Sequence, residues 1–346
     1  KLSNFPVLEQ EQLMWQIDQK INAFGIKIDS ELVQGALRIN DILSNEQMIE
    51  AVSITGLGNP NSTAQLLPWL KENVSIEIEN LQKETVSELI SKLEDSPAKR
   101  VLEIRQELSK TSIKKYVAMR EVKGKDERVR GLLQFYGANR TGRWAGRLIQ
   151  VQNLPRNYID TLDYARELIK DVKIEHLKVI YGNISDTLSQ VIRTAFIPST
   201  NNKFIVADFS AIEARVIAWL AEEQWRLEVF KTHGKIYEAS ASQMFGVPID
   251  KITKGNDEYA LRQKGKVAEL ALGYQGSSGA LKAMGALDMG LSEDELPDIV
   301  GRWRAANKRI VDLWYKVQNA AVRVMETGQQ QAVKNIIFSR EGDLAN

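Results

Sequence analysis

Apolar residues recur every three or four positions along most of the chain, which is the spacing of a helix with one buried face. The pattern is clear over 7–56, over 84–121 and over 219–328. It predicts a largely helical protein. Over 84–121 it predicts two antiparallel helices that carry charge on their outer faces.

Three segments break this helical pattern. The stretch 131–157 is rich in glycine and arginine and contains a strand-like LIQVQ at 148–152. The apolar stretch KFIVADFS at 203–210 predicts a buried strand that ends on an acid, Asp208. The last residues, 329–346, are typical of the beginning of a strand pair that this sequence does not complete.

Length and composition set the class of protein. The 346 residues are 43% hydrophobic and 26% charged, an ordinary globular composition that corresponds to two or three domains. No apolar run approaches the ~18 residues of a membrane span, so we expect no membrane contact. The sequence opens without Met and without a basic-then-apolar leader, as expected of a piece of a longer protein.

The residue types that are scarce narrow the possible chemistry. With no cysteine, the sequence has no disulfide, no catalytic thiolate and no cysteine-ligated zinc. Two separate histidines, His176 and His233, argue against a histidine-rich metal site or a Ser-His-Asp triad. Catalysis must therefore depend on carboxylates, lysine, arginine and tyrosine.

The net charge of +1 conceals an uneven distribution of charge. Residues 41–96 hold ten acidic and three basic side chains, whereas 97–156 hold fifteen basic and five acidic ones. The basic stretch also carries Phe135, Tyr136 and Trp144. Runs of charge are usually solvated helix faces. The aromatic residues within the basic stretch also make contact with a nucleic-acid backbone a candidate.

Asp208 is the first candidate for chemistry. A carboxylate at the end of a buried strand is well placed to hold Mg²⁺, which prefers oxygen ligands and often binds one or two carboxylates plus substrate phosphates. Glu213 follows at the start of the next predicted helix. The alternative is that Asp208 or Ser210 only caps that helix.

Four residues between 262 and 274 form the second candidate. Arg262, Lys266, Leu270 and Tyr274 are each four positions apart, so on a helix the stripe drifts by only about 40° per step. Two cations one turn apart suit the phosphates of a nucleotide, and the apolar and aromatic residues suit its sugar and base. The alternative is an ordinary amphipathic helix, against which Gly265 and Gly273 argue, because each glycine costs about 1 kcal/mol in a helix.

These segments together resemble the family A DNA polymerases, the family of bacterial DNA polymerase I. DFSAIEARVIAWLA (208–221) resembles motif A, whose pattern is DYSQIELR, and RQKGKVAELALGYQG (262–276) resembles motif B, RxxxKxxxFxxxYG. RTGRWAGRLIQVQNLP (140–155) is similar to the segment that precedes motif A, and IRTAFIPS (192–199) to the IRQAF between them. The amino-acid sequence of these segments is most similar to that of phage-encoded members of the family.

The resemblance implies a role for each matching residue. Asp208 and the Phe209 carbonyl would bind two catalytic Mg²⁺ ions. Glu213 would exclude a 2′-hydroxyl. Arg262 and Lys266 would bind the triphosphate, with Lys266 also the candidate acid for the departing pyrophosphate. Tyr274 would guard the templating position, and Leu270 would contact the sugar. The residues implied at the primer–template are Arg140, Arg143, Arg147, Gln152 and Asn153.

The sequence also departs from the family pattern. Leu270 replaces an aromatic residue, Gln275 follows Tyr274 where the family has glycine, and Tyr237 stands where bacterial enzymes often have histidine. The family's third motif, His-Asp-Glu, has no counterpart between 328 and 346, and Asp343 is not in the context of that motif.

The resemblance implies an α+β right-hand polymerase fold, mostly helical, with an antiparallel palm sheet. The expected parts are the palm base (1–40), the thumb (41–130), the palm with motif A (131–218), the fingers (219–328) and an incomplete return to the palm (329–346). The expected function is template-directed addition of dNTPs to a primer 3′-hydroxyl on DNA, in a bacterial host cytoplasm. Two alternatives stay open: a catalytically incomplete DNA-binding fragment or part of a split polymerase, and a single-subunit RNA polymerase, against which Glu213 argues.

Overall fold

The structure is a computed structural model that describes residues 7–110, 112–287, 289–342 and 344–345. The chain divides into two compact units, with the boundary between Ile205 and Val206. Each unit has its own hydrophobic core. The units are therefore described one after the other.

The first unit is mostly helical. Its helices are α1 (Glu9–Phe24), α2 (Ser30–Thr55), α3 (Thr63–Asn73), α4 (Lys83–Lys92), α5 (Pro97–Leu108), α6 (Ser112–Val122), α7 (Leu162–Lys170), α8 (Ile174–Tyr181) and α9 (Ile184–Val191). Its strands are β1 (Ile26–Ile28), β2 (Arg128–Val129), β3 (Leu133–Ala138), β4 (Arg143–Gly146) and β5 (Phe196–Ile197).

Helix α2 is the central element of this unit. It spans 26 residues, and the preceding Asp29 caps it: the Asp29 carboxylate accepts a hydrogen bond from the Leu32 amide (3.1 Å). It packs against α5, α6 and α7. A Cβ on Gly35 would lie only 2.2 Å from the Ile169 carbonyl oxygen, so only glycine lets α2 and α7 approach this closely.

Two small antiparallel sheets complete the first unit. β1 lies between β2 and β5, with Lys27 opposite both Arg128 and Ile197. β3 and β4 form a hairpin that α1 braces: the Asn22 amide bonds the backbone of Leu133, and the buried Asp18 accepts a hydrogen bond from Trp144 Nε1 (2.8 Å). The hairpin is thus fixed to the first helix by side chains.

Two predictions for this unit are wrong. Three helices, not two, cover 84–121. Ser96 caps a new helix with Pro97 in its first position, and a second break after Leu108 separates α5 from α6. The LIQVQ segment is not a strand: Leu148 and Gln150 have φ of 54°, which a strand does not permit, and 151–153 form a 3₁₀ helix.

The second unit is mainly helical between 212 and 327, as the apolar spacing predicts, although 246–256 contain no helix. Its helices are α10 (Ile212–Ala221), α11 (Gln224–Thr232), α12 (Ile236–Phe245), α13 (Ala260–Leu272), α14 (Ser278–Ala283), α15 (Leu296–Ala306) and α16 (Lys308–Thr327). The strands are β6 (Gln331–Val333), β7 (Ile336–Phe338), β8 (Arg340–Glu341) and β9 (Leu344–Ala345).

The prediction of an unfinished strand pair after 328 is wrong. β6 pairs with β7, with Ala332 opposite Ile337, and β8 pairs with β9, so two short hairpins close within this segment. Asp343 lies outside the described residues. Among the residues that are described, no helix is both long enough and apolar enough to cross a membrane.

A buried polar network lies inside the second unit. Arg226 on α11 is 1% exposed, and its Nη1 donates to Glu269 Oε1 on α13 and to Asn307 Oδ1, both at 2.9 Å. Its Nη2 contacts the other carboxylate oxygen. Trp303 Nε1 on α15 donates to the same Glu269 (2.9 Å). The network therefore joins α11, α13 and α15 through one carboxylate.

We predict that Glu269→Ala lowers the free energy of unfolding by about 3–5 kcal/mol, because the substitution leaves the buried Arg226 charge without its partner. Urea unfolding of the polypeptide measures it. Asp298→Ala is the matched control, since it removes an exposed ion pair with Arg302 and is expected to cost less than about 1 kcal/mol. Equal effects of the two variants would contradict a structural role for the network.

Candidate functional site

The predicted stripe lies on α13, with one correction. Arg262, Lys266 and Leu270 share a face of the helix that is at least partly exposed, and Leu270 is 44% exposed. The opposite face, with Val267, Ala268 and Leu272, is fully buried in the core of the second unit. Tyr274 is not on the helix: it lies in the turn that follows Leu272 and is 71% exposed.

The backbone explains why the helix ends before Tyr274. Gln275 adopts a left-handed conformation with φ of 61°, which interrupts the helical backbone. A Cβ on Gly276 would lie 2.2 Å from the Ala271 carbonyl oxygen, so the chain turns back closely over the end of α13. This turn places Tyr274 at the tip of α13.

Gly265 brings α13 against α12. A Cβ at this position would lie 2.2 Å from the Tyr237 carbonyl oxygen, a contact that no other residue tolerates without a shift of the backbone. The glycine that argues against an exposed helix is therefore buried in a close helix–helix contact. As a result, Arg262 lies beside the first turn of α12.

The three cations of α13 have different surroundings. Arg262 Nε donates to Glu238 Oε1 on α12 at 2.7 Å, and this hydrogen bond raises the pKa of the guanidinium. Lys264 pairs with Glu295, which lowers the pKa of that carboxyl to about 2. Lys266 makes no ion pair with any residue that the structure describes.

Asp208 lies in a segment that differs from its prediction. Residues 203–209 form no strand and are exposed, with Ile205 at 88% and Val206 at 90%. A strand requires a neighbour for its backbone N–H and C=O groups, and no described segment pairs with this one. The prediction of a buried strand over 203–210 is therefore wrong, because no described segment supplies the pairing that would bury this apolar run.

Glu213 lies where the sequence predicts it, in the first turn of α10. The helix begins after Ala211, which has φ of 50°, and Arg215 on the next turn lies over the Phe230 ring at 4.4 Å from its centroid. A carboxylate near a helix N-terminus is favoured by the helix dipole. The side chain of Glu213 is exposed.

The described residues supply part of a magnesium site. The Asp208 carboxylate and the Phe209 carbonyl are oxygen donors of the kind that Mg²⁺ prefers, and both residues are exposed. No group of three or more acidic or histidine side chains within the described part of the chain is able to enclose a metal ion. Asp208 and Phe209 therefore fit one edge of such a site and require further ligands.

The second set of predicted residues lies on the β3–β4 hairpin and the 3₁₀ helix after it. Arg140 is in the hairpin turn, Arg143 begins β4, Arg147 follows β4, and Gln152 and Asn153 end the 3₁₀ helix; all five are exposed. Gln152 lies over Gly146, where a Cβ would approach its Oε1 to 2.1 Å. All five polar side chains are thus exposed within one stretch of the chain, 140–153.

A lysine-lined cavity beside Asn153 was missed by sequence reasoning. It encloses about 360 Å³, and its lining includes Lys83, Lys110, Lys115 and three serines but no carboxylate. Lys115 Nζ donates to the Ile149 carbonyl (3.0 Å), and burial lowers the pKa of this amine. The basic excess of 97–156 was the available signal, but only the fold shows which lysines converge.

The family is decided by comparison with known proteins. A family model described as DNA polymerase family A matches residues 38–338. The chain belongs to DNA polymerase family A. This membership confirms the resemblance that motifs A and B carry.

Individual relatives agree with this assignment. The DNA polymerase of Bacillus phage SP02 is 57% identical over 326 residues, which are 94% of this chain and 50% of that protein, so the chain spans half the length of this relative. DNA polymerase I of Rhizobium leguminosarum is 46% identical over 59 residues, 17% of this chain and 6% of that protein. The phage relative confirms the phage-type resemblance.

The fold is confirmed by a solved structure. The POL domain of Pol1 from M. smegmatis, in complex with DNA primer-template and dNTP, matches with a TM-score of 0.58 over 90% of this chain and 48% of that one, at 19% identity. The chain therefore has the α+β fold of a family A polymerase domain. The division into thumb, palm and fingers stays a prediction.

Proposed function

We propose that the protein containing this chain is a DNA-directed DNA polymerase that adds dNTPs to a primer 3′-hydroxyl during DNA replication. The observation that carries the proposal is the face of α13 in a family A chain, where Arg262 and Lys266 lie one turn apart above a buried face. Its partners would be primer–template DNA and a dNTP. In phosphoryl transfer a protein mainly positions groups and neutralises charge, which is work suited to these side chains.

In this proposal, each residue of the stripe contacts a different part of the nucleotide. Arg262 binds the outer phosphates through its planar fork of donors. Lys266, which has no described carboxylate partner, lies at the phosphate where bonds change and donates a proton to the departing pyrophosphate. Leu270 contacts the sugar by apolar contact only, and Tyr274 guards the templating base.

The metal ligands of the proposal are Asp208 and the Phe209 carbonyl. Two Mg²⁺ ions, when bound, would neutralise the developing charge on the attacking and leaving oxygens. The exposed position of Asp208 leaves its carboxylate accessible for such a role. Glu213 would fill the space that a 2′-hydroxyl needs, and this favours a DNA polymerase over a single-subunit RNA polymerase.

The first unit would hold the primer–template. Arg140, Arg143 and Arg147 would contact phosphates, while Gln152 and Asn153 would follow the nascent pair. The lysines beside Asn153 add positive charge without a neutralising carboxylate in the cavity. Because such contacts release counterions, DNA affinity of this kind depends on salt. The location proposed for this work is the cytoplasm of a bacterial host.

The alternative function is that of a DNA-binding fragment or of one part of a split polymerase. The described residues contain no group of three or more potential metal ligands, and no His-Asp-Glu motif occurs between 328 and 346. A carboxylate-bearing hairpin that follows Asn346 in the intact protein would decide for the polymerase. Its absence would decide for the alternative.

Replacement of Arg262 and replacement of Lys266 are expected to change different kinetic constants. We predict that Lys266→Ala lowers the maximal rate of incorporation about 100-fold or more, because its charge acts as the leaving group develops. Arg262→Ala raises the apparent KM for dNTP more than it lowers that rate, because it removes ground-state binding. Single-turnover incorporation by the intact protein over a dNTP titration separates the two.

Gln263→Ala is the matched control for these variants, because residue 263 lies on the same turn of α13 outside the stripe and should change neither constant. A normal maximal rate for Lys266→Ala would leave this lysine as an ordinary phosphate contact. A lower maximal rate together with a higher KM in all three variants would indicate that the substitutions disrupt α13.

Replacement of Glu213 tests the choice of sugar. Glu213→Ala is expected to raise the efficiency of ribonucleotide incorporation relative to deoxynucleotide by about 10- to 100-fold, because the space for the 2′-hydroxyl opens. The ratio of the two kcat/KM values measures it, with Glu228→Ala as an exposed acidic control in the same unit. An unchanged ratio would rule out this role for Glu213.

A further inference from the structure

We propose that Glu238 is a positioning residue: it holds Arg262 by its Nε and thereby sets the Nη1 and Nη2 edge of the guanidinium for the phosphates of the nucleotide. This inference rests on the proposed function of α13. It assigns a role to a residue on α12 that the motifs of the sequence do not include.

The first argument is how the guanidinium is held. Glu238 Oε1 accepts from Arg262 Nε at 2.7 Å, and neither Nη atom of Arg262 donates a hydrogen bond to a described residue. An arginine fork binds a phosphate most strongly with two parallel N–H donors. A carboxylate that occupied Nη1 and Nη2 would compete with the phosphate, whereas one at Nε leaves Nη1 and Nη2 for it.

Two tyrosines add to the constraint on the arginine. The guanidinium carbon lies 5.5 Å from the ring centroid of Tyr237 and 5.9 Å from that of Tyr259, within the range of cation–π attraction. Tyr237 precedes Glu238 on α12, and Tyr259 immediately precedes α13. The arginine is therefore restrained by two rings and one carboxylate before any nucleotide arrives.

The position of Glu238 itself is fixed by packing. It lies in the first turn of α12, where a carboxylate is favoured by the helix dipole, and its side chain is only 16% exposed. The contact of Gly265 with the Tyr237 carbonyl sets the distance between the two helices at this point. The Glu238 side chain therefore has little freedom to move. Because Glu238 is fixed, the ion pair also fixes the position of the Arg262 guanidinium.

Because Arg262 is already restrained, its side chain loses less conformational entropy when the nucleotide binds. Glu238→Ala should therefore raise the KM for dNTP about 5- to 20-fold and leave the maximal rate within about twofold of the parent. Glu238→Gln should restore most of the affinity, because an amide oxygen also accepts from Nε–H. In Arg262→Ala, the further change Glu238→Ala should have no additional effect on KM.

The experiment is single-turnover incorporation by the intact protein over a dNTP titration, with thermal unfolding of every variant. Glu295→Ala is the matched control, because it removes the ion pair of Lys264 on the same helix and should leave the KM unchanged. A lower KM for dNTP in Glu238→Ala would indicate that the carboxylate competes with the phosphates for the Arg262 guanidinium. An unchanged KM with a lower unfolding midpoint would make the ion pair purely structural.

Both of those outcomes overturn the inference while leaving the proposed function intact, provided that Arg262→Ala raises the KM. Failure of the proposed function has a different signature: the parent protein does not extend a primer, or Arg262→Ala leaves the KM unchanged. The rescue by Glu238→Gln adds a readout that loss of stability alone does not reproduce.

Discussion

The second unit depends on one buried ion pair, Arg226 with Glu269. Two charges removed from water are costly unless each is paired and hydrogen-bonded, and here Trp303 and Asn307 supply the additional bonds. Because Glu269 is on α13 and its partners Arg226 and Trp303 are on α11 and α15, these contacts fix the rotation of α13 about its own axis. The outward face of α13 follows from this inward contact.

The parts of the site that the sequence predicts are those that local structure determines. The four-residue spacing of Arg262, Lys266 and Leu270 requires only that 260–272 be helical, and it is. Glu213 requires only that a helix begin near 211. In contrast, the strand over 203–210 requires a partner strand from elsewhere, which an apolar run cannot guarantee. The positive φ of Leu148 and Gln150 likewise depends on tertiary packing of the β3–β4 hairpin that precedes them.

Contacts between helices lie beyond what spacing predicts. The pairing of Arg262 with Glu238 joins residues 24 positions apart, and it exists because Gly265 lets α12 and α13 approach. The lysine cavity beside Asn153 similarly combines residues from 83 to 189. Composition indicates an excess of positive charge over 97–156, but only tertiary packing decides which cations converge and which are neutralised.

We propose that the exposed Asp208 carboxylate serves phosphoryl transfer on DNA, and Asp208→Ala in the intact protein tests this role. Mg²⁺-dependent incorporation of one nucleotide is measured beside the dissociation constant for primer–template, with Asp250→Ala as an acidic control from the same unit. We expect a loss of rate of about 1000-fold or more, with DNA affinity within about twofold of the parent. A variant that still incorporates within about tenfold of the parent rate would contradict it.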